Sequence, residues 1–152
     1  TAADIIDHHH QTKTNTIQIV DELIGREYAA IREALPHVKL VQVVHVTGDR
    51  SVDEAAELAE FVDAILLDSG NPGLAVKELG GTGRRHDWRL SRRIVETCGK
   101  QVFLAGGLNA VNVREAIDRV QPFGLDICSG VRTDGKLDKR KLDRFFSAIE
   151  AV

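Results

Sequence analysis

The sequence predicts an α/β fold: a parallel sheet in which each strand is followed by a helix leading to the next. Three observations carry the prediction. Five short β-branched runs are apolar almost throughout, as strands covered on both faces must be. Amphipathic patterns with helical spacing separate them. The runs also begin about 23 residues apart, except around the third, where extra chain is inserted. Such βα repeats build either an open doubly wound sheet or a (β/α) barrel, and both carry their sites at the carboxyl ends of the strands.

Taken in order, Ala2 to Gln11 reads as an opening helix and Thr16 to Val20 as the first strand. Arg26 to Leu35 follows as a helix with Tyr28, Ile31, Ala34 and Leu35 on one stripe, ended by Pro36. Lys39 to Val46 is the second strand. Val52 to Val62 is the next helix, with Ser51 as its N-cap and Ala55, Leu58, Ala59 and Val62 facing inward. The third strand, Asp63 to Asp68, runs into a Gly-rich loop, Gly70 to His86, before a helix over Leu90 to Cys98. Gln101 to Ala105 and Gly124 to Cys128 complete the strands, with a helix over Val111 to Val120 between them. Asp138 to Ile149 closes the chain with Leu142, Phe145, Phe146 and Ile149 at helical spacing.

Composition narrows the function. With 152 residues and no interdomain linker, residues 1–152 read as one domain with enough chain to bury a core. Twenty Lys and Arg against 23 Asp and Glu give a formal charge of −3, which offers no footprint for nucleic acid or an anionic membrane. No apolar run approaches the roughly 20 residues that cross a bilayer, and no signal peptide opens the chain. Two cysteines build no disulfide framework, so the expected compartment is the cytoplasm. A start of Thr-Ala-Ala with no Met anywhere suggests a piece of something longer.

The strand ends hold the chemistry. Gly106 and Gly107 follow the fourth run, and Ser129 and Gly130 the fifth. Glycines there let the backbone approach a ligand, and the N–H groups that follow point at it. On the last two strands of a barrel this is where phosphate sits; simple turn glycines are the alternative. Asp68 ends the third run behind Ile65, Leu66 and Leu67, where partial desolvation suits a general acid, although a rim salt bridge fits as well. Asp126 interrupts an apolar strand and needs a partner or a ligand. In the loop, Gly83 gives mobility and Arg84 a guanidinium for carboxylate or phosphate, while Asp87 caps the next helix and Trp88 packs. His8, His9 and His10 point about 100° apart on a helix and do not converge on one ion. His45 reads as a satisfied core histidine, Cys128 as a small hydrophobe, and Cys98 carries no signal. Neither a P-loop nor GxGxxG, HExxH, CxxC or GxSxG is present. No metal is implied.

Three segments together are specific: GGTGRRHDW (Gly80 to Trp88), FLAGGLNAVNVREAI (Phe103 to Ile117) and PFGLDICSGVRTDGKLD (Pro122 to Asp138). In this order they resemble the phosphoribosylanthranilate isomerase family, strongly from Ala64 onward and back to about Thr14. The resemblance implies an α/β, parallel (β/α) TIM-barrel type of fold, incomplete, with the C-terminal five of eight βα units. It implies an Amadori rearrangement in tryptophan biosynthesis, of N-(5′-phosphoribosyl)anthranilate to its aminoketose, with no cofactor. It implies Asp68 as the acid and Asp126 as a substrate contact at the reacting centre. Gly106, Gly107, Ser129 and Gly130 match the phosphate loops, and Gly83 falls in the loop that covers substrate.

Several positions depart from the family pattern. The family's base, a Cys in a KICG-like first strand, has no counterpart, and Cys128 stands where the family has Ser. Gln18-Ile19-Val20-Asp21 replaces a Gln-Leu-His-Gly strand end, and Arg132 replaces a Glu. Gln42-Val43-Val44 lacks the usual Lys-Ala, and Arg85-His86 takes the place of a basic-aromatic pair. The chain alone is therefore expected to lack the base. A barrel takes roughly 250 residues, about 200 at least, so three βα units are missing and two sheet edges stay open. The expected partners are a phosphorylated small molecule and either a second copy or an N-terminal segment that completes the barrel. The competing readings are a non-catalytic phosphate-sugar-binding relative and a different phosphate-binding barrel enzyme, such as an indole-glycerol-phosphate or pentose-phosphate relative.

Overall fold

A computed structural model describes residues 1–23, 27–70 and 85–150. The helices are α1 (Ala2–Thr12), α2 (Glu27–Ala34), α3 (Arg50–Ala59), α4 (Trp88–Thr97), α5 (Val113–Val120) and α6 (Lys139–Glu150). The strands are β1 (Thr16–Ile19), β2 (Lys39–His45), β3 (Ala64–Asp68), β4 (Gln101–Leu104) and β5 (Gly124–Leu125), followed by a short hairpin, β6 (Arg132–Thr133) and β7 (Lys136–Leu137).

The strands pair in the order β1-β2-β3-β4-β5, every pair parallel. This order settles the architecture. A doubly wound sheet reverses its strand order at a switch point, whereas strictly sequential pairing with one crossover hand keeps every helix on the same face. Alternation along the strands agrees. Leu40 and Val44, Ile65 and Leu67, and Val102 and Leu104 join the helix residues Ile31, Ala55, Ile94 and Val113 in the main core. Val43, Leu66 and Ala105 form a separate small cluster on the other face, with Val41 and Phe103 against it. That second face is the barrel interior. Each fully buried Leu or Ile of the main core contributes about 1.5–3 kcal/mol.

Local chemistry sets most element ends. Asp87 caps α4, its side chain accepting from the Arg89 N–H at 2.9 Å. α3 starts earlier than the sequence suggests, at Arg50. Ser51 is not its N-cap but lies in the first turn, its hydroxyl donating to the His45 carbonyl and accepting from the Thr47 N–H. β5 is shorter than the run Gly124 to Cys128, because the chain turns into one turn of 3-10 helix at Ser129–Val131. The hairpin that follows is built on Asp134 and Gly135, both at positive φ, as a tight two-residue turn requires. Two residues assigned to buried stripes face solvent instead, Ala34 and Phe146, the latter 54% exposed. Arg26 and most of the Gly-rich loop (71–84) lie outside the described residues.

The amino ends of the strands are closed by Asp63. Its carboxylate accepts from the Leu40 N–H at 2.8 Å, from Arg32 at 2.7 Å and from Lys39 at 3.1 Å. Burial pushes this carboxyl up, but the Leu40 N–H and the two cations outweigh it and hold it at about 2. Loop and sheet are thus tied below the core, leaving the carboxyl ends free for a ligand.

Candidate active site

The backbone register places four residues in one row. His45 and Asp68 are Cα partners across β2 and β3. The Ala105 N–H donates to the Leu67 carbonyl and the Asp126 N–H to the Leu104 carbonyl, each continuing the ladder by one residue beyond its strand. Strand parity turns His45, Asp68, Ala105 and Asp126 toward the interior, above Val43, Leu66 and Phe103. Asp68 is 7% exposed, and its Oδ1 accepts from the Ser69 N–H at 2.7 Å. Asp126 faces the cleft, and its carboxyl is raised from the ordinary value, by partial enclosure first and by the charge of Asp68 second. Asp126 is thus more readily protonated than a free carboxyl.

The glycine loops close over this row. Gly106 has φ +84°, and a Cβ on it would stand 2.8 Å from Ser69 Oγ. No other residue lets the end of β4 lie so close to the chain leaving Asp68. A Cβ on Gly130 would overlap the carbonyl oxygen of Leu108, so the loops after β4 and β5 meet backbone to backbone. Two asparagines hold the first loop: Asn112 Nδ2 donates to the Gly107 carbonyl at 2.9 Å, and Asn112 Oδ1 accepts from the Asn109 N–H at 2.9 Å. Below them lies a cleft of about 50 Å³, lined among others by Asp68, Gly106, Gly107, Asp126, Cys128 and Ser129. A larger groove of about 440 Å³ runs between α1 and the edge of β1, but it holds none of the strand-end row.

The six described site residues of the sequence reading therefore come together, while Gly83 and Arg84 lie outside the described residues. Arg85, at the end of that loop, lies over the buried Trp88 ring at 4.5 Å and pairs with Glu115 at 3.5 Å. Beside them His86 meets Ser91 Oγ at 2.7 Å, and burial, only partly offset by Asp87, lowers its imidazole to about 4. Of the histidine triplet on α1, His9 Nε2 bonds the Thr14 carbonyl at 2.9 Å. Among the described residues no group of three or more His, Cys, Asp or Glu is placed to hold a metal. No described helix is long and apolar enough to cross a membrane.

His45 is the residue the sequence reading passes over. It is not a satisfied core histidine: the residue is 8% exposed, and its buried Nδ1 has no hydrogen-bond partner among the described residues. The signal was there, since His45 shares the parity of Val41 and Val43 and ends its strand as Asp68 ends the next. Asn112 was also missed, its role fixed only by the fold of its own loop.

Comparison with known proteins bears on what the row serves. Residues 1–148 match the family model of N-(5′-phosphoribosyl)anthranilate isomerase. The isomerase of Methanosarcina acetivorans is 40% identical over 154 aligned positions, covering 93% of this chain and 63% of that protein. That of Methanocella arvoryzae is 32% identical, over 100% of this chain and 68% of that protein. Against the first relative, the chain thus spans under two thirds of the length. Among solved structures, the Thermotoga maritima isomerase superposes with a TM-score of 0.78 at 30% identity, covering 99% of this chain and 69% of that one. A further isomerase structure, bound to reduced 1-(o-carboxyphenylamino)-1-deoxyribulose 5-phosphate, superposes at 0.72 with 27% identity, over 99% of this chain and 67% of that one.

Proposed function

The chain belongs to the N-(5′-phosphoribosyl)anthranilate isomerase family, and from that premise we propose that it forms the phosphate-holding, acid-bearing part of an Amadori isomerase. The observation that carries this reading is the row of Asp68 and Asp126 beneath two glycine loops in backbone contact. N–H groups of the loops at Gly106–Gly107 and Ser129–Gly130 hold the phosphate, as glycine-lined barrel loops do. Gly83 and Arg84 belong to the loop that covers the substrate. Residues 1–152 act as one barrel domain portion in the cytoplasm, with a second copy or further strands of the protein completing the barrel.

The reaction needs one proton given and one taken. Asp68 gives its proton to the furanose ring oxygen as the C1–O bond breaks, and the anthranilate nitrogen supplies the electron pair that forms C1=N. Loss of the C2 proton lets the C2–H bonding pair form C1=C2 while the C1=N pair returns to nitrogen, and the enolamine tautomerises to the ketone. Asp126, whose carboxyl is raised beside Asp68, contacts the substrate at the reacting carbons. The proton at C2 goes to a base on a strand outside these five. Cys98 is buried at the end of α4 and Cys128 lies by the phosphate loops, so neither takes that role.

Calorimetry and turnover assays on the purified chain test this. The reduced product analogue is expected to bind without conversion of N-(5′-phosphoribosyl)anthranilate. Turnover that survives in the Cys98→Ala, Cys128→Ala double variant would show a base within the chain and remove this account. Binding of inorganic phosphate without the analogue would remove the isomerase reading altogether.

A further inference from the structure

Asn112 stands at the N-cap of α5, where an asparagine ordinarily bonds the first N–H groups of its helix, yet its side chain makes no such bond. Its amide is spent on the loop before it. Nδ2 donates to the Gly107 carbonyl and Oδ1 accepts from the Asn109 N–H, each at 2.9 Å. One planar group thus grips the two peptide units on either side of Leu108. Asn109 adds a second hold on the first unit, its Nδ2 donating to the Gly107 carbonyl at 3.2 Å. The cap would serve the stability of α5, so a side chain diverted from it serves the shape of the loop.

Peptide geometry says what the grip achieves. In a trans unit the C=O and N–H point in opposite directions, and no cis bond lies among the described residues. The Asn109 N–H is drawn to Asn112, so the Leu108 carbonyl faces away from it. That carbonyl is the one a Cβ on Gly130 would strike, so away from Asn112 means toward the loop after β5. By the same rule the Gly107 carbonyl is drawn to the asparagines, and the Leu108 N–H faces away from them. Leu108 lines the cleft with Gly106, Gly107 and Ser129, and neither asparagine does. Among the described residues the N–H groups of Gly106, Gly107 and Leu108 have no hydrogen-bond partner. We propose that Asn112 is a positioning residue that holds the Leu108 peptide so that its N–H donates to a phosphate monoester in the cleft. The proposal rests on the reading that these loops hold phosphate; it adds a donor, Leu108, and the residue that aims it. An N–H on a phosphate oxygen is a charge-assisted bond, and a peptide fixed beforehand loses little freedom on binding.

The test is a titration of the purified chain with inorganic phosphate and with ribose 5-phosphate, followed through the backbone amide resonances. In the unaltered chain the Leu108 resonance is expected to move with both ligands, together with those of Ser129 and Gly130. Asn112→Ser releases the loop but leaves a residue that caps a helix as well as asparagine does. Unfolding in urea should show this variant at least as stable as the unaltered chain, with both ligands bound at least about 10-fold more weakly. At saturating phosphate its Leu108 resonance should no longer respond, while those of Ser129 and Gly130 still do. If Asn112→Ser fails to fold, Asn112→Asp carries the same readout at saturation, since it keeps the acceptor for the Asn109 N–H and removes only the Gly107 bond. Unchanged affinity overturns the proposal. So does lowered stability with the Leu108 response intact at saturation, which makes Asn112 a structural residue. A Leu108 resonance that stays fixed in the unaltered chain while Ser129 and Gly130 move overturns it too, and leaves the phosphate reading standing. If no amide of either loop responds to phosphate, that reading fails and the proposal with it.

Discussion

Two aspartates bound the third strand, Asp63 just before β3 and Asp68 at its end, and their surroundings are opposite. Asp63 meets a backbone N–H and two cations, and its carboxyl is held at about 2. Asp68 meets one N–H, a histidine in register and a second carboxyl that its own charge helps to raise. One strand thus carries the same residue type to two uses, decided by whether cations or carboxylates are near. The amino end pairs its carboxylate with cations, and the carboxyl end sets two carboxyls beside one another at a cleft. Barrels as a class divide stability and chemistry between their ends in this way.

The widest separation between the two ends should come from removing each carboxylate in turn. Asp68→Asn in the native gene product is expected to lower kcat about 10²- to 10⁴-fold, the contribution of a positioned acid, with analogue affinity little changed. Asp63→Asn should leave kcat and KM as they are. Steady-state kinetics on both decide it: a kcat within 10-fold of normal in Asp68→Asn would end its assignment as the acid. Gly130→Ala comes next. Its Cβ has no room against the Leu108 carbonyl, so the loops after β4 and β5 must part, at a cost of about 3 kcal/mol. Phosphate binding should weaken at least about 10-fold, read by calorimetry. Unchanged affinity would mean that the backbone contact between these loops does not form the anion site.

How legible these ends were follows from what each depends on. The strand centres could be read directly, because near-continuous burial demands apolar residues at both parities, as in β3, where every residue is buried. That Asp68 stands at the carboxyl end of β3 could be read because it closes such a run, while its use, acid or rim salt bridge, was left open by its residue type alone. What could not be read was anything set by contact between loops. The meeting of Gly130 with Leu108 joins two segments of separate strands, and neither shows the other in its own sequence. His45 was misread for a related reason: a histidine in an apolar strand looks the same whether or not its second nitrogen finds a partner. The hairpin at Asp134-Gly135 is a different case, since that dipeptide is a turn signal on its own and was overlooked among the family motifs.

Acid should break the two ends in sequence. At the carboxyl end His86 is half-buried and its imidazole is lowered from 6.5 to about 4, with no hydrogen-bond partner for Nδ1 among the described residues. A group whose folded value lies below its unfolded one stabilises fully above the unfolded value, so this contribution is lost as pH falls from about 6.5 to about 4. The loss amounts to about 3 kcal/mol. At the amino end Asp63 is lowered from 3.8 to about 2, so its contribution of about 2 kcal/mol stands until pH drops below about 4 and fades toward pH 2. Trp88, the single tryptophan, lies beside Arg85 at the carboxyl end, so its fluorescence reports the first window. Unfolding in urea at successive pH values should show stability falling first between 6.5 and 4, a slope that His86→Gln removes. Asp63→Asn should cost about 2 kcal/mol at neutral pH and flatten only the lower window. If His86→Gln leaves the upper slope intact, the carboxyl end owes its acid sensitivity to another group. If Asp63→Asn costs less than about 0.5 kcal/mol, the exposed Lys39 and half-open Arg32 add no more than surface charges do. The contrast between a satisfied and a poised end of the strand would then rest on the Leu40 N–H alone.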